Sequence, residues 1–251
     1  MESNLEVLFS PAEFSALNAP ELSEVVCVVF DVLRATTSML TALANGASRI
    51  FPVREISDAM ELRRAHPDAL LAGERHGVRI LSAQTGGVDF DLGNSPREFT
   101  RDRVTGREII MTTTNGTRAL QSCVGARRIL AGGFVNLRAL AGSIRKDNPA
   151  KLLVICAGTF EETAYEDTLA AGALCDLVWS QFERGPVADS AQIARQIYLS
   201  AQTSMEKSIQ LSRNARRLLA NPDLRDDVSF CLRRDSFEIV AELRAGSVLL
   251  Q

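Results

Sequence analysis

The sequence predicts an α/β fold: a mostly parallel sheet sandwiched by helices in three layers, α/β/α, with a helical C-terminal segment. Three observations carry this. Short apolar, β-branched runs alternate with longer helical patterns, the rhythm of strand–helix–strand units. Those runs are apolar throughout, as in strands covered on both faces. From about residue 186 to 234 the rhythm changes to helix after helix.

Taken in order, "VVCVVF" (25–30) reads as a strand. A helix follows from about Thr36 to Ala44, closed by Asn45-Gly46 as a C-cap signal. "RIFPV" (49–53) is the next strand, and "EISDAMELRRAH" the next helix, stopped by Pro67. "ALLAG" (69–73) is a strand. Residues 74–106, rich in Gly, Asp, Asn and Pro, read as a long functional loop or a small hairpin lobe. "REIIMTT" (107–113) leads into a helix through Leu120, "RRILAG" into the helix "NLRALAGSIRK", and "KLLVICAG" (151–158) into a helix through Trp179. Asn221-Pro222-Asp223 breaks the late helices, and the tail "FEIVAELRAGSVLL" reads as strand again. With no repeat and no low-complexity linker, one domain over 1–251 is expected.

The chain has 251 residues, 46% of them hydrophobic, and a formal net charge of −3. That is enough apolar sequence for a sizeable core, and a balance that gives no electrostatic footprint for nucleic acid. No apolar run reaches the ~20 residues of a membrane span, and no basic-then-apolar leader opens the chain, so no membrane association is expected. Cys27, Cys123, Cys156, Cys175 and Cys231 are scattered, odd in number and without a CxxC pair, which fits a reducing cytoplasm. A homodimer is the expected assembly.

In parallel α/β sheets ligands collect at the carboxyl ends of strands, where helix N-termini present free N–H groups. This chain puts chemistry there: Asp31, Arg34, Thr36 and Thr37 after the first strand, and Glu74, Arg75, His76 and Gly77 after "LLAG". "DFDLGNSP" (89–96) lies in the loop. Thr112–Thr117 follow "EIIM", and "CAGTFEETAYED" (156–167) follows "LLVI". Taken singly, each has a plain reading. Thr36 and Thr37 suit a helix N-cap, Glu161 and Glu162 a helix dipole, and Glu166 and Asp167 a solvated helix face. Jointly, hydroxyls and an Arg at helix starts form an anion cradle, suited to phosphate. Carboxylates at neighbouring strand ends would repel that anion unless a divalent cation such as Mg²⁺ binds both. Asp31 then serves a metal or a water, and Arg34 with the threonines serves an anion.

Familiar phosphatase signatures fit poorly. Leu33 stands where a D-x-D strand end needs its second Asp, and neither Cys27 nor Cys123 has the arginine of C-x₅-R. Arg75-His76-Gly77 matches the histidine phosphatases. Their second, later histidine is missing, however, because the only other one is His66. No GxxxxGK[ST] loop is present.

The motifs "DVLRATTS" (31–38), "GERHG" with "DFDLGNSP" (73–96), "TTTNGT" (112–117), "CAG" with "EDTLAAG" (156–172) and "DDVSFC" (226–231) occur in this order. In this the chain resembles the 2-phosphosulfolactate phosphatase family. The resemblance implies an α/β enzyme that uses Mg²⁺ to hydrolyse the phosphate ester of a small sulfonated hydroxy acid, a step of coenzyme M biosynthesis in methanogens. It implies Asp31, Arg34 and Glu74 as catalytic residues, and Asp31, Glu74, Glu166 and Asp167 as candidates for the metal and its waters. Thr36, Thr37, Asn94, Ser95, Thr113, Thr114, Asn115 and Thr117 would line the substrate site. The expected mechanism is direct attack by a metal-activated water. Two other readings stay open: histidine phosphatase chemistry through His76, and a non-catalytic binder of phosphorylated or sulfonated acids.

Overall fold

A computed structural model of the chain describes residues 4–251. The alternation begins with β1 (Leu5–Leu8), α1 (Pro11–Ser15), β2 (Val25–Phe30), α2 (Ala35–Ala44), β3 (Arg49–Val53) and α3 (Ile56–Ala65). It continues with β4 (Leu70–Arg75), β5 (Val78–Arg79), α4 (Ser82–Thr85), α5 (Arg101–Val104), β6 (Glu108–Thr112), α6 (Gly116–Ser122) and β7 (Arg128–Gly132). Then come α7 (Leu137–Asp147), β8 (Lys151–Cys156) and α8 (Tyr165–Phe182). The late helices are α9 (Asp189–Ala201), α10 (Met205–Ser208), α11 (Arg213–Leu219) and α12 (Arg225–Cys231), followed by β9 (Ala241–Arg244) and β10 (Ser247–Leu250). No helix among the described residues is long and apolar enough to cross a membrane.

The strands form one sheet in the order β1-β8-β2-β7-β9-β10-β3-β6-β4-β5. β2 pairs in parallel with β7 and β8, and β1 with β8. β6 likewise pairs in parallel with β3 and β4. Between these two parallel sets lies the antiparallel β9–β10 hairpin, with β9 on β7 and β10 on β3. Three antiparallel pairings in succession make the two parallel sets run in opposite senses. The hairpin turns through Ala245 and Gly246, both at positive φ (46° and 80°), the pattern of a tight turn that matches strand twist.

Burial explains why these runs are strands. All six residues of β2 are buried, because helices and the other half of the sheet cover both its faces. On one face Val26, Val28, Phe30 and Val154 pack under Leu140 of α7, Leu169 and Leu174 of α8, and Ala194 of α9. On the other, Cys27, Val29 and Ile155 share a core with Leu40 and Leu43 of α2, Leu120 of α6, and Ile50, Ile109 and Met111 from the second strand set. One core therefore touches both halves of the sheet, which must curl round it. That curl brings the carboxyl ends of β2 and β4 to one place although the strands run in opposite senses.

The sequence reading missed β1, four residues with no periodic signal, and β5, two residues that form a short hairpin with the end of β4; the rest of the predicted lobe is loop and short helical turns. One helix start also differs. α8 begins at Tyr165, so Glu161 and Glu162 lie in the preceding loop as exposed partners of Arg118 and Arg213. Glu166 and Asp167 fall in the first helical turn and are buried, not on a solvated face.

α8 and α9 pack closely at Gly172, where a Cβ would stand 2.0 Å from the Ala194 carbonyl oxygen. Gly172→Ala must push the two helices apart and is expected to cost about 3 kcal/mol. Urea unfolding monitored by circular dichroism measures this; an unshifted midpoint would mean the contact yields freely.

Candidate active site

The turn after β2 is built by hydroxyls. Thr36 Oγ1 accepts from the Asp31 N–H (3.0 Å) and donates to the Gly132 carbonyl (2.7 Å). Thr37 donates to the Val32 carbonyl (3.0 Å), and Ser38 to the Asn94 carbonyl (2.9 Å). The Ala35 N–H donates to Asp31 Oδ1 (3.0 Å), which holds the carboxylate against the start of α2. Thr36 and Thr37 are therefore fully buried ties, set behind the pocket wall and not on it.

Asp167 joins two strand ends. Its Oδ1 accepts from the Val32 N–H (2.8 Å) after β2, and its Oδ2 from the Gly158 N–H (3.1 Å) after β8. Beside it, Glu166 accepts from the Ser212 hydroxyl (2.6 Å) and from Asn214 Nδ2 (2.7 Å), fastening α11 to α8. Glu74, at the end of β4, accepts from the Gly77 N–H (2.6 Å) and from the Thr114 N–H and hydroxyl (2.9 and 3.0 Å). Thr113 and Thr117 bond to each other, and Asn115 Nδ2 donates to the Ala157 and Phe160 carbonyls, anchoring the loop after β8.

These strand ends enclose a small pocket, partly open to solvent. Of the residues singled out from the sequence, Asp31, Arg34, Glu74, Asn94, Thr114 and Asn115 line it, and His76 stands there too. Ser95, Thr113, Thr117, Glu166 and Asp167 do not reach its wall. Ser95 instead donates to Asp227 Oδ1 (2.6 Å). Among the wall residues the sequence reading did not single out are Phe160, Asn214 and Arg217. Asp227, quoted there only within "DDVSFC" and given no role, is fully buried, and its Oδ2 pairs with Arg34 at 2.7 Å. Arg34 is thus committed on two sides, since its second terminal nitrogen donates to the Gly77 carbonyl (2.9 Å). Gly116 opens α6 in close quarters: a Cβ there would lie 2.6 Å from both Asp31 Oδ2 and Ala35 Cβ.

Electrostatics set Asp31 apart. Burial pushes its carboxyl up to about 7, the nearby charges of Glu74 and Glu166 push the same way, and the Ala35 N–H and Arg34 oppose them. Asp167 is raised well above the usual carboxylate range by burial, Glu166 and Asp31, against its two backbone N–H bonds. Such a cluster favours a bound cation. Among the described residues no three His, Cys, Asp or Glu side chains converge as a closed metal cage would need. Mg²⁺ is held differently, by one or two carboxylates with substrate and water completing its shell. The donors facing the pocket fit that: the carboxylates of Asp31 and Glu74, and the buried Asn94 Oδ1, which has no hydrogen-bond partner among the described residues.

The histidines are not brought together. His76 lines the pocket mouth, while His66 closes α3 with its Nδ1 2.8 Å from Glu108 Oε2 and takes no part in the wall.

The model of the family described as 2-phosphosulpholactate phosphatase matches residues 12–246. A protein of Caldicellulosiruptor saccharolyticus named "Probable 2-phosphosulfolactate phosphatase" is 36% identical over 227 residues, covering 89% of this chain and 90% of its own. One of the same name from Pseudothermotoga lettingae is 37% identical, covering 94% of each. Another from Thermotoga maritima is 34% identical, over 89% of this chain and 91% of its own. Every motif that builds the pocket lies inside the matched span, and the chain belongs to the 2-phosphosulpholactate phosphatase family.

Proposed function

We propose that the protein hydrolyses 2-phosphosulfolactate to sulfolactate and phosphate in a Mg²⁺-dependent reaction. The observation that carries this is the pairing of Asp31 and Glu74 with arginine side chains in one strand-end pocket. Relatives named as probable 2-phosphosulfolactate phosphatases support the substrate. Asp31, Glu74 and Asn94 would hold the ion, which supplies charge neutralisation at the phosphoryl oxygens.

The chain's own groups do the rest. Asp31 Oδ1 is occupied by the Ala35 N–H, which leaves Oδ2 for the reacting water. Burial raises that carboxyl in the metal-free site; a bound cation would favour its ionised form, the form that takes the proton. Water adds to phosphorus, the ester P–O bond breaks, and the C2 oxygen leaves and is protonated by solvent. Arg34, held rigid by Asp227 and Gly77, directs its remaining N–H groups at the developing negative charge. Phosphohistidine chemistry is the weaker reading, since His76 faces no second histidine.

Phosphate release from 2-phosphosulfolactate should be abolished by EDTA and restored by Mg²⁺; EDTA-insensitive turnover lost in His76→Gln would instead establish phosphohistidine chemistry. Asp31→Asn should lower kcat by about 10²- to 10⁴-fold with the circular dichroism spectrum unchanged. Near-normal turnover in that folded variant would remove Asp31 from the mechanism.

The raised Asp31 carboxyl also sets a pH dependence. Its ordinary value is 3.8 and its folded value about 7, so between these the folded state binds the extra proton. The contribution of Asp31 to the stability of the EDTA-treated protein is therefore fullest at acid pH and is lost as pH rises through about 7. In melting curves across pH 4–8, Asp31→Asn should flatten that decline, and Mg²⁺ should oppose it.

A further inference from the structure

Two arginines line the pocket, and their charges are handled differently. Arg34 is buried and neutralised by Asp227 at 2.7 Å. Arg217, on α11, is exposed at the rim and has no hydrogen bond or ion pair among the described residues. Its neighbour Arg213 is taken by Glu162. The uncompensated positive charge of the pocket is therefore that of Arg217.

Its backbone is anchored, and its guanidinium is placed beside the pocket. The backbone of α11 is tied to buried Glu166 through Ser212 and Asn214, at 2.6 and 2.7 Å. The guanidinium lies beside Gly77, where a Cβ would stand 3.6 Å from one of its terminal nitrogens. That same glycine donates its N–H to Glu74 and accepts from Arg34 through its carbonyl. Arg217 thus faces the chamber that Glu74 and Arg34 border, on an anchored support.

The proposed substrate carries a phosphate, a carboxylate and a sulfonate. The phosphate belongs at Asp31 and Glu74, where a cation can join it to the carboxylates. A second anion at the same place would meet those carboxylates unscreened. A sulfonate spreads one charge over three oxygens, which suits the weakly hydrated, planar fork of a guanidinium. We infer that Arg217 is the specificity-determining residue of the pocket and grips the sulfonate remote from the phosphate. This inference rests on the reaction proposed above.

The test compares 2-phosphosulfolactate with 2-phospholactate, which has hydrogen in place of the sulfonate, in wild type, Arg217→Gln and Arg217→Lys. In Arg217→Gln the KM for 2-phosphosulfolactate should rise about 10- to 100-fold, the loss expected for a charged hydrogen-bonded pair. Its kcat should hold within a few-fold, and the KM for 2-phospholactate should not move. Arg217→Lys should recover part of the loss. An equal loss on both esters, or none on either, overturns the inference. Calorimetric titration of sulfolactate and lactate in the presence of Mg²⁺ reads the same contact without turnover. Wild type should prefer sulfolactate, and Arg217→Gln should not. Sulfolactate binding that is absent from wild type, or equal in the two proteins, overturns the inference. A wild type that prefers sulfolactate yet hydrolyses neither ester overturns the hydrolytic reading alone.

Discussion

Burying several carboxylates at one cluster of strand ends is the constraint around which the site is arranged. An ionised carboxylate taken out of water must be compensated by donors or opposite charge. Asp167 receives two backbone N–H groups, Glu166 a hydroxyl and an amide, and Glu74 two backbone N–H groups and a hydroxyl. Among the described residues Asp31 receives one backbone N–H on Oδ1 and no hydrogen bond on Oδ2. The compensated three act as joints between elements: Asp167 couples β2 to β8, Glu166 couples α8 to α11, and Glu74 couples β4 to the segment after β6. Asp31, the least compensated, faces the pocket, and Glu74 lines it while serving as a joint. A division of labour among four similar acids thus follows from where their donors come from.

The same logic separates the two arginines. Arg34 is a structural cation as much as a ligand group, because Asp227 of α12 holds it and Ser95 holds Asp227 in turn. A chain of short bonds therefore runs from the loop lobe through α12 to the turn after β2. Arg217 lies outside that chain. Its freedom is what an incoming anion can use.

Much of the fold was legible because local rules and tertiary structure agree. β2 and β3 fall on the predicted residues, and α2 closes at Asn45-Gly46 as its cap signal requires. The lobe at 74–106 and the helical stretch after 186 were legible from composition. What could not be read is direction. Thr36 and Thr37 have the hydroxyls that a phosphate cradle needs, yet those hydroxyls turn to the Gly132 and Val32 carbonyls. Gly132 is nearly a hundred residues away, and nothing near "RATTS" announces it. Asp227 was hidden for the opposite reason. An acid in the first turn of a helix is explained locally by the dipole, so no residual signal marks it as buried. Arg217 in "RNARRLL" likewise reads as an ordinary helix surface.

The β9–β10 hairpin lies in the middle of the sheet although its residues come late in the chain. Val248 pairs with Ile50, and Ala241 with Ala131. During synthesis both parallel sets can be complete while the hairpin is still within the ribosome. β7 and β3 are then raw edges, each an apolar strand with unpaired backbone groups. Such edges are templates for the wrong partner, including a neighbouring nascent chain. The hairpin is thus a closing piece: its arrival removes both sticky edges at once and makes two half-sheets a single body. Folding yield, more than final stability, is the quantity most exposed to damage in this last short stretch.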